Sequence, residues 1–273
     1  MSATRPEPTT DISAARWLID EIGAFESGVG GLVPPRFEAY ARILHPAGTS
    51  DDEDVSWATV AAWSGKEMHP LVQFEAISRP RPKSPSGEPR VVYEPMEGQP
   101  DPDLFDALCE VLRSHTQTPE LCWFCLWEGY GWIDGGSDVV VFDDSGKPSA
   151  PADPPAFAPE IMSGPRVRLP ERDYFLLSGP LETAAKIGEW EDAAFTAANP
   201  DLDLPANSAE YQPPNLFWPD DRAWCVASEI DLYSTYVGGT EALIAELLGD
   251  PRFEAFRARA DDPVDESSDT INR

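Results

Sequence analysis

The chain has 273 residues, and its 49 acidic side chains against 20 basic ones give a formal charge of −29. This charge excludes a generic basic surface for nucleic-acid phosphates or for an anionic membrane, since both rely on clustered Lys and Arg. With 41% hydrophobic and 10% aromatic residues, the sequence can build a core, so its acidity does not indicate general disorder.

Residues 1–10 have no apolar stretch typical of a secretory signal, and we expect them to be disordered. No apolar run approaches the roughly 18 residues of a membrane-spanning helix. The four cysteines are too few for a disulfide scaffold in a chain of this length. Together these features favour a cytoplasmic protein with reduced thiols and no membrane contact.

Asp11 is placed to cap a first helix, which Gly23 would end. The alternation of apolar and polar residues over Arg36–Leu44 then predicts a strand. The acidic run Asp51–Asp54 precedes an apolar helical pattern, so we expect these carboxylates at the positive end of a second helix. Residues 79–103 are rich in proline and leave room only for a short strand at Val91–Tyr93.

Asp101 and Pro102 form a cap and first turn, which predict the next helix. The short apolar segment Leu121–Trp127 is typical of a buried central strand. Val139–Phe142 is predicted to be its partner strand. The Pro-rich residues 143–165 that follow indicate a linker.

The second half continues with predicted strands and helices. Strands are expected at Tyr174–Leu177, Leu216–Trp218 and Trp224–Leu232, with a short helix at Leu181–Trp190 between the first two. Thr240 is placed to cap a helix, and Asp250 and Pro251 to begin a further short one. Residues 259–273 are acidic and polar, so we expect a disordered tail.

These elements predict an α+β fold, mostly antiparallel sheet with helices packed on one face. The Pro-rich linker divides the chain into two α+β lobes, residues 11–142 and 166–258. Tyr40–Pro46 and Tyr174–Pro180 share a spaced Tyr, aliphatic and Pro pattern. This weak echo raises the alternative that the two lobes are similar to one another.

Cys122 and Cys125 form the sharpest chemical motif, a C-x-x-C. On a strand the two side chains would lie on opposite faces, so neither thiol would be activated as in a redox pair at a helix start. Zinc would need further ligands at a spacing that the sequence does not offer. Buried structural thiols are therefore the favoured interpretation, and the sequence predicts no metal site and no cofactor.

Acidic residues around the predicted strand Trp224–Leu232 form the best candidate site. Asp220, Asp221 and Arg222 precede this strand, while Glu229 and Asp231 share one of its faces, two residues apart. A polar network around the arginine, or paired carboxylates in a cleft, would suit catalysis. The solvated face of a half-buried strand is the more common explanation.

Aromatic residues form a second candidate surface, whose members are Trp127, Tyr130, Trp132 and Trp218. Exposed Trp and Tyr side chains often dominate protein–protein hot spots. Large aromatics beside glycines more often fill a core. The sequence leaves both interpretations open and favours the core.

Two stretches carry a resemblance to known sequences. Asn215–Asp231, followed by Val237–Thr240, resembles a block in uncharacterised proteins of G+C-rich actinobacteria, and Trp57–Ile77 is similar to the same group. That resemblance implies a bacterial cytosolic origin and no activity. The closing order of aromatic strand, acidic strand and helix resembles the immunity-protein superfamily SUKH. The chain is longer, and its opening elements differ in order, so no residue role is transferred.

The excess of carboxylates and the absence of catalytic motifs favour a non-enzymatic, soluble bacterial binding protein. The hypothesis is an immunity-type inhibitor of a basic protein partner, since carboxylates complement a cationic surface and accelerate encounter. The alternative is an enzyme of unknown reaction, with its site near Asp221, Arg222, Glu229 and Asp231.

Overall fold

The fold is that of a computed structural model, which describes residues 5–49, 53–79, 92–135, 154–188 and 211–272. Its strands are β1 (Glu7–Thr9), β2 (Ala39–Leu44), β3 (Ala47–Thr49), β4 (Asp54–Val55), β5 (Val92–Tyr93), β6 (Cys122–Trp127), β7 (Val167–Arg168), β8 (Asp173–Gly179), β9 (Leu216–Pro219), β10 (Cys225–Ser228), β11 (Ser234–Gly239) and β12 (Ala255–Ala258).

The α-helices are α1 (Arg16–Glu21), α2 (Trp57–Ser64), α3 (Phe74–Ser78), α4 (Pro102–Ser114), α5 (Pro159–Met162) and α6 (Glu241–Gly249). Short 3₁₀ turns lie at Ser13–Ala15, Phe25–Gly31, Gly131–Asp134, Leu181–Lys186 and Glu266–Ser268. Two helices begin as the sequence predicts, because the side chains of Asp101 and Thr240 accept hydrogen bonds from the backbone N–H groups of Leu104 and Leu243.

One antiparallel sheet organises the chain. Its nine strands run in the order β1-β8-β6-β9-β10-β11-β2-β12, with β7 paired to β8 off this path. The pairings among these strands are antiparallel. This arrangement confirms the α+β class with a mostly antiparallel sheet.

Both faces of this sheet are covered. The two longest described helices, α4 and α6, pack on one face, where Phe124, Phe217 and Trp224 belong to the same buried cluster. The opposite face carries Trp218 and Cys225 and is covered by α1 and the neighbouring 3₁₀ turn. Because successive strand residues point to opposite faces, two buried faces explain why these strands are apolar throughout.

A second, smaller sheet lies beside β2. It has three strands in the order β4-β3-β5. Together with α2 and α3 it encloses a third buried cluster around Trp57, Phe74 and Ile77. The expected strand at Val91–Tyr93 is confirmed here as β5, within Val92–Tyr93.

The division into two lobes along the chain is wrong for the described strands. β2 and β6 come from residues 11–142, yet each pairs with strands of residues 166–258. A strand on the inside of a sheet needs two neighbours, and both segments supply them. The predicted linker is also partly core, since Phe157 is 4% exposed and α5 follows it; residues 143–153 lie outside the described residues.

Both chain ends are more ordered than expected. Glu7–Thr9 extends the sheet as β1, paired with β8. At the other end Asp269 and Asn272 are 1% and 5% exposed, so the described part of residues 259–273 is not a disordered tail. Val264 is buried in the core, but mainly polar side chains hold residues 265–272 in place, and this is why the composition misled the prediction.

Two predicted helix boundaries are also wrong. Ser56, not the acidic run, caps α2, while Asp54 lies in β4. The predicted helix after Asp250 and Pro251 is a turn followed by the strand β12. In both places strand pairing overrides local helix signals: β4 pairs with the neighbouring β3, and β12 with the distant β2.

Some predictions lie partly or wholly outside the described residues. The strand at Val139–Phe142 is one, and β6 instead pairs with β8 and β9. The predictions for residues 1–4 and for the end of the helix Leu181–Trp190 also lie outside the described residues. The described start of that predicted helix is a 3₁₀ turn. In the described ranges no helix has both the length and the apolar character to cross a bilayer.

Candidate functional site

The predicted carboxylate and arginine site is divided by β10. Asp220, Asp221 and Arg222 lie in the turn before this strand, and Glu229 and Asp231 follow it. The predicted network around Arg222 is therefore wrong. Arg172, which the sequence analysis did not select, is the arginine that contacts Glu229 and Asp231.

Asp220 and Asp221 support the turn between β9 and β10. Asp220 accepts a 3.0 Å hydrogen bond from the Trp123 indole. Asp221 accepts hydrogen bonds from the Thr116 hydroxyl at 2.9 Å and the Gln117 backbone N–H at 2.7 Å. These contacts join the turn to the end of α4, which gives both carboxylates a structural explanation.

Arg222 lies apart from the carboxylates in an unusual backbone conformation. Its φ of 57° is in the left-handed region, which residues other than glycine seldom adopt. Its guanidinium lies 5.5 Å from the ring centroid of Trp17, a cation–π distance. The side chain thus covers an indole of the core.

Arg172 organises the other half of the predicted site. Its guanidinium lies 3.2 Å from Glu229 and 2.5 Å from Asp231, and 5.8 Å from the Trp127 ring centroid. Glu229 is 8% exposed, and burial raises the pKa of its carboxyl although the positive charge of Arg172 opposes that rise. Arg172, Glu229 and Asp231 thus form an ion-pair cluster with one another.

The cavity beside this cluster is too small for an organic substrate. It holds about 20 Å³ and is lined by Glu229, Arg172, Tyr174 and Asn215, among others. Such a volume suits about one water molecule, whereas ligand pockets usually measure about 300–1,000 Å³. Among the described residues, the cavity beside Glu229 and Arg172 therefore has no room for an organic substrate.

The predicted aromatic surface is largely interior. Trp218 is 1% exposed and packs edge-to-face on Trp17 with ring centroids 5.8 Å apart. Trp127 and Tyr130 are half-buried and meet edge-to-face at 5.3 Å. Trp132, also half-buried, packs against the main core.

Cys122 and Cys125 lie on opposite faces of β6, as the strand interpretation predicts. Burial raises the pKa of Cys122 to about 12 and the pKa of Cys125 well above its ordinary value. A thiol that resists ionisation is a poor nucleophile and metal ligand. Among the described residues, no group of three or more His, Cys, Asp or Glu is arranged to hold a metal ion.

A different surface combines depth with negative charge. Two adjoining cavities of about 450 and 260 Å³ share Pro46, Asp54 and Asp101 in their linings. They lie between the small sheet and the start of α4. We call these two cavities the acidic groove.

The acidic groove has two kinds of carboxylate. Asp101 caps α4, and Glu254 accepts 2.7 Å hydrogen bonds from the backbone N–H groups of Trp57 and Ala58 at the start of α2. Both are thereby paired with helix N-termini, where negative charge is stabilised. These two belong to the framework of the groove.

Asp54 and Asp103 are the other kind. Both are exposed, and neither carboxylate makes an ion pair or hydrogen bond with another described residue. Burial first, and then the negative charges of Asp101 and Asp103, raise the pKa of the Asp54 carboxyl. A raised pKa in an acid means that its charged form is disfavoured there, so a cation entering the groove would relieve that cost.

Much of the wall of the acidic groove is apolar, although Arg252, which is paired with Glu110 and Asp250, also lines the larger cavity. Leu44, Val55, Leu104 and Ala107 line the larger cavity. Tyr93 and Met96 line the smaller one and are 56% and 65% exposed, the largest values among the exposed large hydrophobic side chains described. Exposed apolar side chains beside charged ones are typical of interaction sites.

Sequence reasoning missed the acidic groove because its residues come from separate parts of the chain. The local signals were interpreted one at a time, with Asp51–Asp54 as a helix start and Asp101 as a cap. Only the small sheet brings Asp54 beside Asp101. The charge total indicated that such a surface could exist, without indicating where.

Comparison with known proteins adds no relative. No family model, no curated protein and no solved structure matches this chain. The resemblances to actinobacterial sequences and to SUKH immunity proteins therefore stay predictions.

Proposed function

We propose that this protein is a non-enzymatic binding protein whose acidic groove receives a basic segment of another protein. One observation carries the proposal: Asp54 and Asp103, two carboxylates free of ion pairs and hydrogen bonds within the described residues, border cavities with apolar walls. A chain segment that combines basic and apolar side chains would match both features.

The overall charge of −29 supports the same proposal through kinetics. A strongly negative protein attracts a positive partner over long distances and raises the association rate, an effect that salt weakens. The apolar walls then supply contacts that salt does not screen. An inhibitor of a basic toxin, the role that the SUKH resemblance implies, would be one use of such a groove.

The catalytic alternative has less support. Glu229 is paired with Arg172, and the adjoining cavity has room for about one water molecule. Arg222 and Asp221 lie beyond the other end of β10 and hold a turn. These contacts favour a structural role for the predicted catalytic residues.

The test is a binding titration with a short peptide of alternating leucine and arginine, followed by NMR or calorimetry at about 0.15 M salt. We expect the double variant Asp54→Asn, Asp103→Asn to weaken binding by about tenfold or more. The matched control is Glu7→Gln, Glu26→Gln, which removes the same charge from exposed positions elsewhere.

The control should change the dissociation constant by less than about twofold. Equal weakening in both variants would mean that the peptide responds only to net charge, and would overturn the proposal. NMR shifts centred on Tyr93, Asp101 and Leu104 support it, and shifts spread evenly over the surface contradict it.

A further inference from the structure

The smaller cavity of the acidic groove has features that the proposed function does not use. It measures about 260 Å³, and Tyr93, Asp54, Asp101 and Tyr211 are among the residues that line it. This is below the usual 300–1,000 Å³ of a small-molecule pocket. Its size suits a single long side chain of a partner rather than a separate ligand.

The lining of this cavity is both aromatic and acidic. Tyr93 is 56% exposed, so much of its ring is open to a ligand. Asp54 is a carboxylate without an ion pair or hydrogen bond to another described residue, and Asp101 lies beside it. A planar cation can stack on the ring and donate hydrogen bonds to the carboxylates at the same time.

Tyr211 adds an independent observation. Its hydroxyl is buried and has no hydrogen-bond partner among the described residues, although its residue lines the cavity. Buried polar atoms are nearly always paired, so an unpaired one needs an explanation. Because the oxygen is closed to solvent in the free protein, a donor that enters the cavity from a partner would supply the missing hydrogen bond once the Tyr211 side chain turns toward it.

We infer that the smaller cavity is a subsite for an arginine side chain of the basic partner. Arginine is favoured over lysine because its guanidinium is planar, weakly hydrated and able to donate several hydrogen bonds in fixed directions. Lysine carries a compact, strongly hydrated charge, which loses more on entering a partly apolar cavity. The inference rests on the proposed function and specifies which type of partner residue binds in the smaller cavity.

The chain itself uses arginine in this way at other places. The guanidinium of Arg166 lies 3.6 Å from the Phe175 ring centroid, and Arg166 also donates to the Glu128 carboxylate. Arg172 combines the Trp127 ring with Glu229. In the smaller cavity the Tyr93 ring and the Asp54 carboxylate offer the same pair of partners, and the described arginine nearby, Arg79, pairs with Glu94 instead.

The experiment compares two peptides of equal length and charge, one alternating leucine with arginine and the other leucine with lysine. We expect the wild-type protein to bind the arginine peptide about fivefold more tightly. Tyr93→Ser and Tyr211→Phe should each reduce that preference. Ile19→Ser, which changes an exposed residue on α1, should leave it intact.

The stability of the free protein provides a second measurement. Tyr211→Phe removes a buried hydroxyl that lacks a partner, so its thermal midpoint should not fall, and a loss of arginine preference cannot then be attributed to unfolding. Equal affinity for the two peptides, or a preference unchanged in both tyrosine variants, would overturn the inference and leave the proposed function standing. If neither peptide binds, the proposed function itself fails.

Discussion

Asp269 and Asp54 are carboxylates of the same acidic chain in opposite surroundings. Asp269, near the C-terminal end, accepts hydrogen bonds from His69 at 2.9 Å and from the backbone N–H groups of Gln73, Ile271 and Asn272 at 3.2, 3.0 and 2.9 Å. Asp54, in the acidic groove, accepts none from another described residue. The fold supplies hydrogen-bond donors to the carboxylate of Asp269, and the described residues supply none to the carboxylate of Asp54.

The pKa values reflect this difference. Burial raises the pKa of Asp269, but hydrogen bonds from Asn272, Gln73 and His69 outweigh that effect and lower it to about 2. The pKa of Asp54 is raised by burial and by the negative charges of Asp101 and Asp103. The charge total thus contains carboxylates that stabilise the fold and carboxylates that cost stability, and the latter are the candidates for binding.

The largest effect is expected from Asp269→Ala. Removing this carboxylate leaves several buried N–H groups unpaired, so the free energy of unfolding should fall by about 3 kcal/mol. Urea unfolding followed by tryptophan fluorescence measures it. The control Asp261→Ala removes an exposed carboxylate paired with Arg259 and should lower the free energy of unfolding far less. Similar losses in the two variants would show that residues 265–272 do not depend on Asp269.

Acid should weaken the same contact. Because the pKa of Asp269 is lower in the folded protein than the ordinary 3.8, its contribution is complete above about pH 4 and is lost as the pH falls toward 2. We expect the wild type to lose about 1–2 kcal/mol more than Asp269→Ala over this interval. Parallel pH profiles of unfolding free energy for the two proteins would contradict the assignment.

The smallest effect, and one of opposite sign, is expected from Asp54→Asn. Its raised pKa means that the charged form is disfavoured in the folded state, so neutralising it should stabilise the protein above that pKa. The gain should be about 0.5 kcal/mol at low salt, after allowance for solvent screening, and smaller at high salt. A clear loss of stability would show that Asp54 is a structural carboxylate like Asp269, which would remove it from the acidic groove's binding function.

Elements whose signals are local were predictable. Asp101 and Thr240 cap their helices as expected, and Cys122–Trp127 is a buried inner strand. The strand predicted from Trp224 is also correct as far as Ser228, and its residues alternate, with Cys225 and Ala227 on the face opposite Trp224 and Val226. Caps and alternation depend on neighbours in sequence, so the sequence contains the information.

Elements that depend on residues far apart in the sequence were not predictable. Gly238 and Gly239 directly precede the Thr240 cap, yet they lie in β11, which pairs with β10 and β2. A Cβ at Gly238 would lie 2.5 Å from the Phe37 ring, so glycine is needed there for close packing. Arg172, and not the predicted Arg222, contacts Glu229 for the same reason. Pairing between strands that are distant in sequence decides which arginine lies near this carboxylate.

The sequence by itself determined the α+β class, the positions of the main caps and the placement of Cys122 and Cys125 on opposite faces. Helix caps and strand alternation are set within a few residues, and apolar composition ensures that such elements bury. Only the tertiary structure decided which carboxylates are satisfied. Asp54 and Asp269 are the same residue type, and their roles differ because hydrogen-bond donors from His69, Gln73 and residues 271–272 surround Asp269, while Asp101 and Asp103 face Asp54.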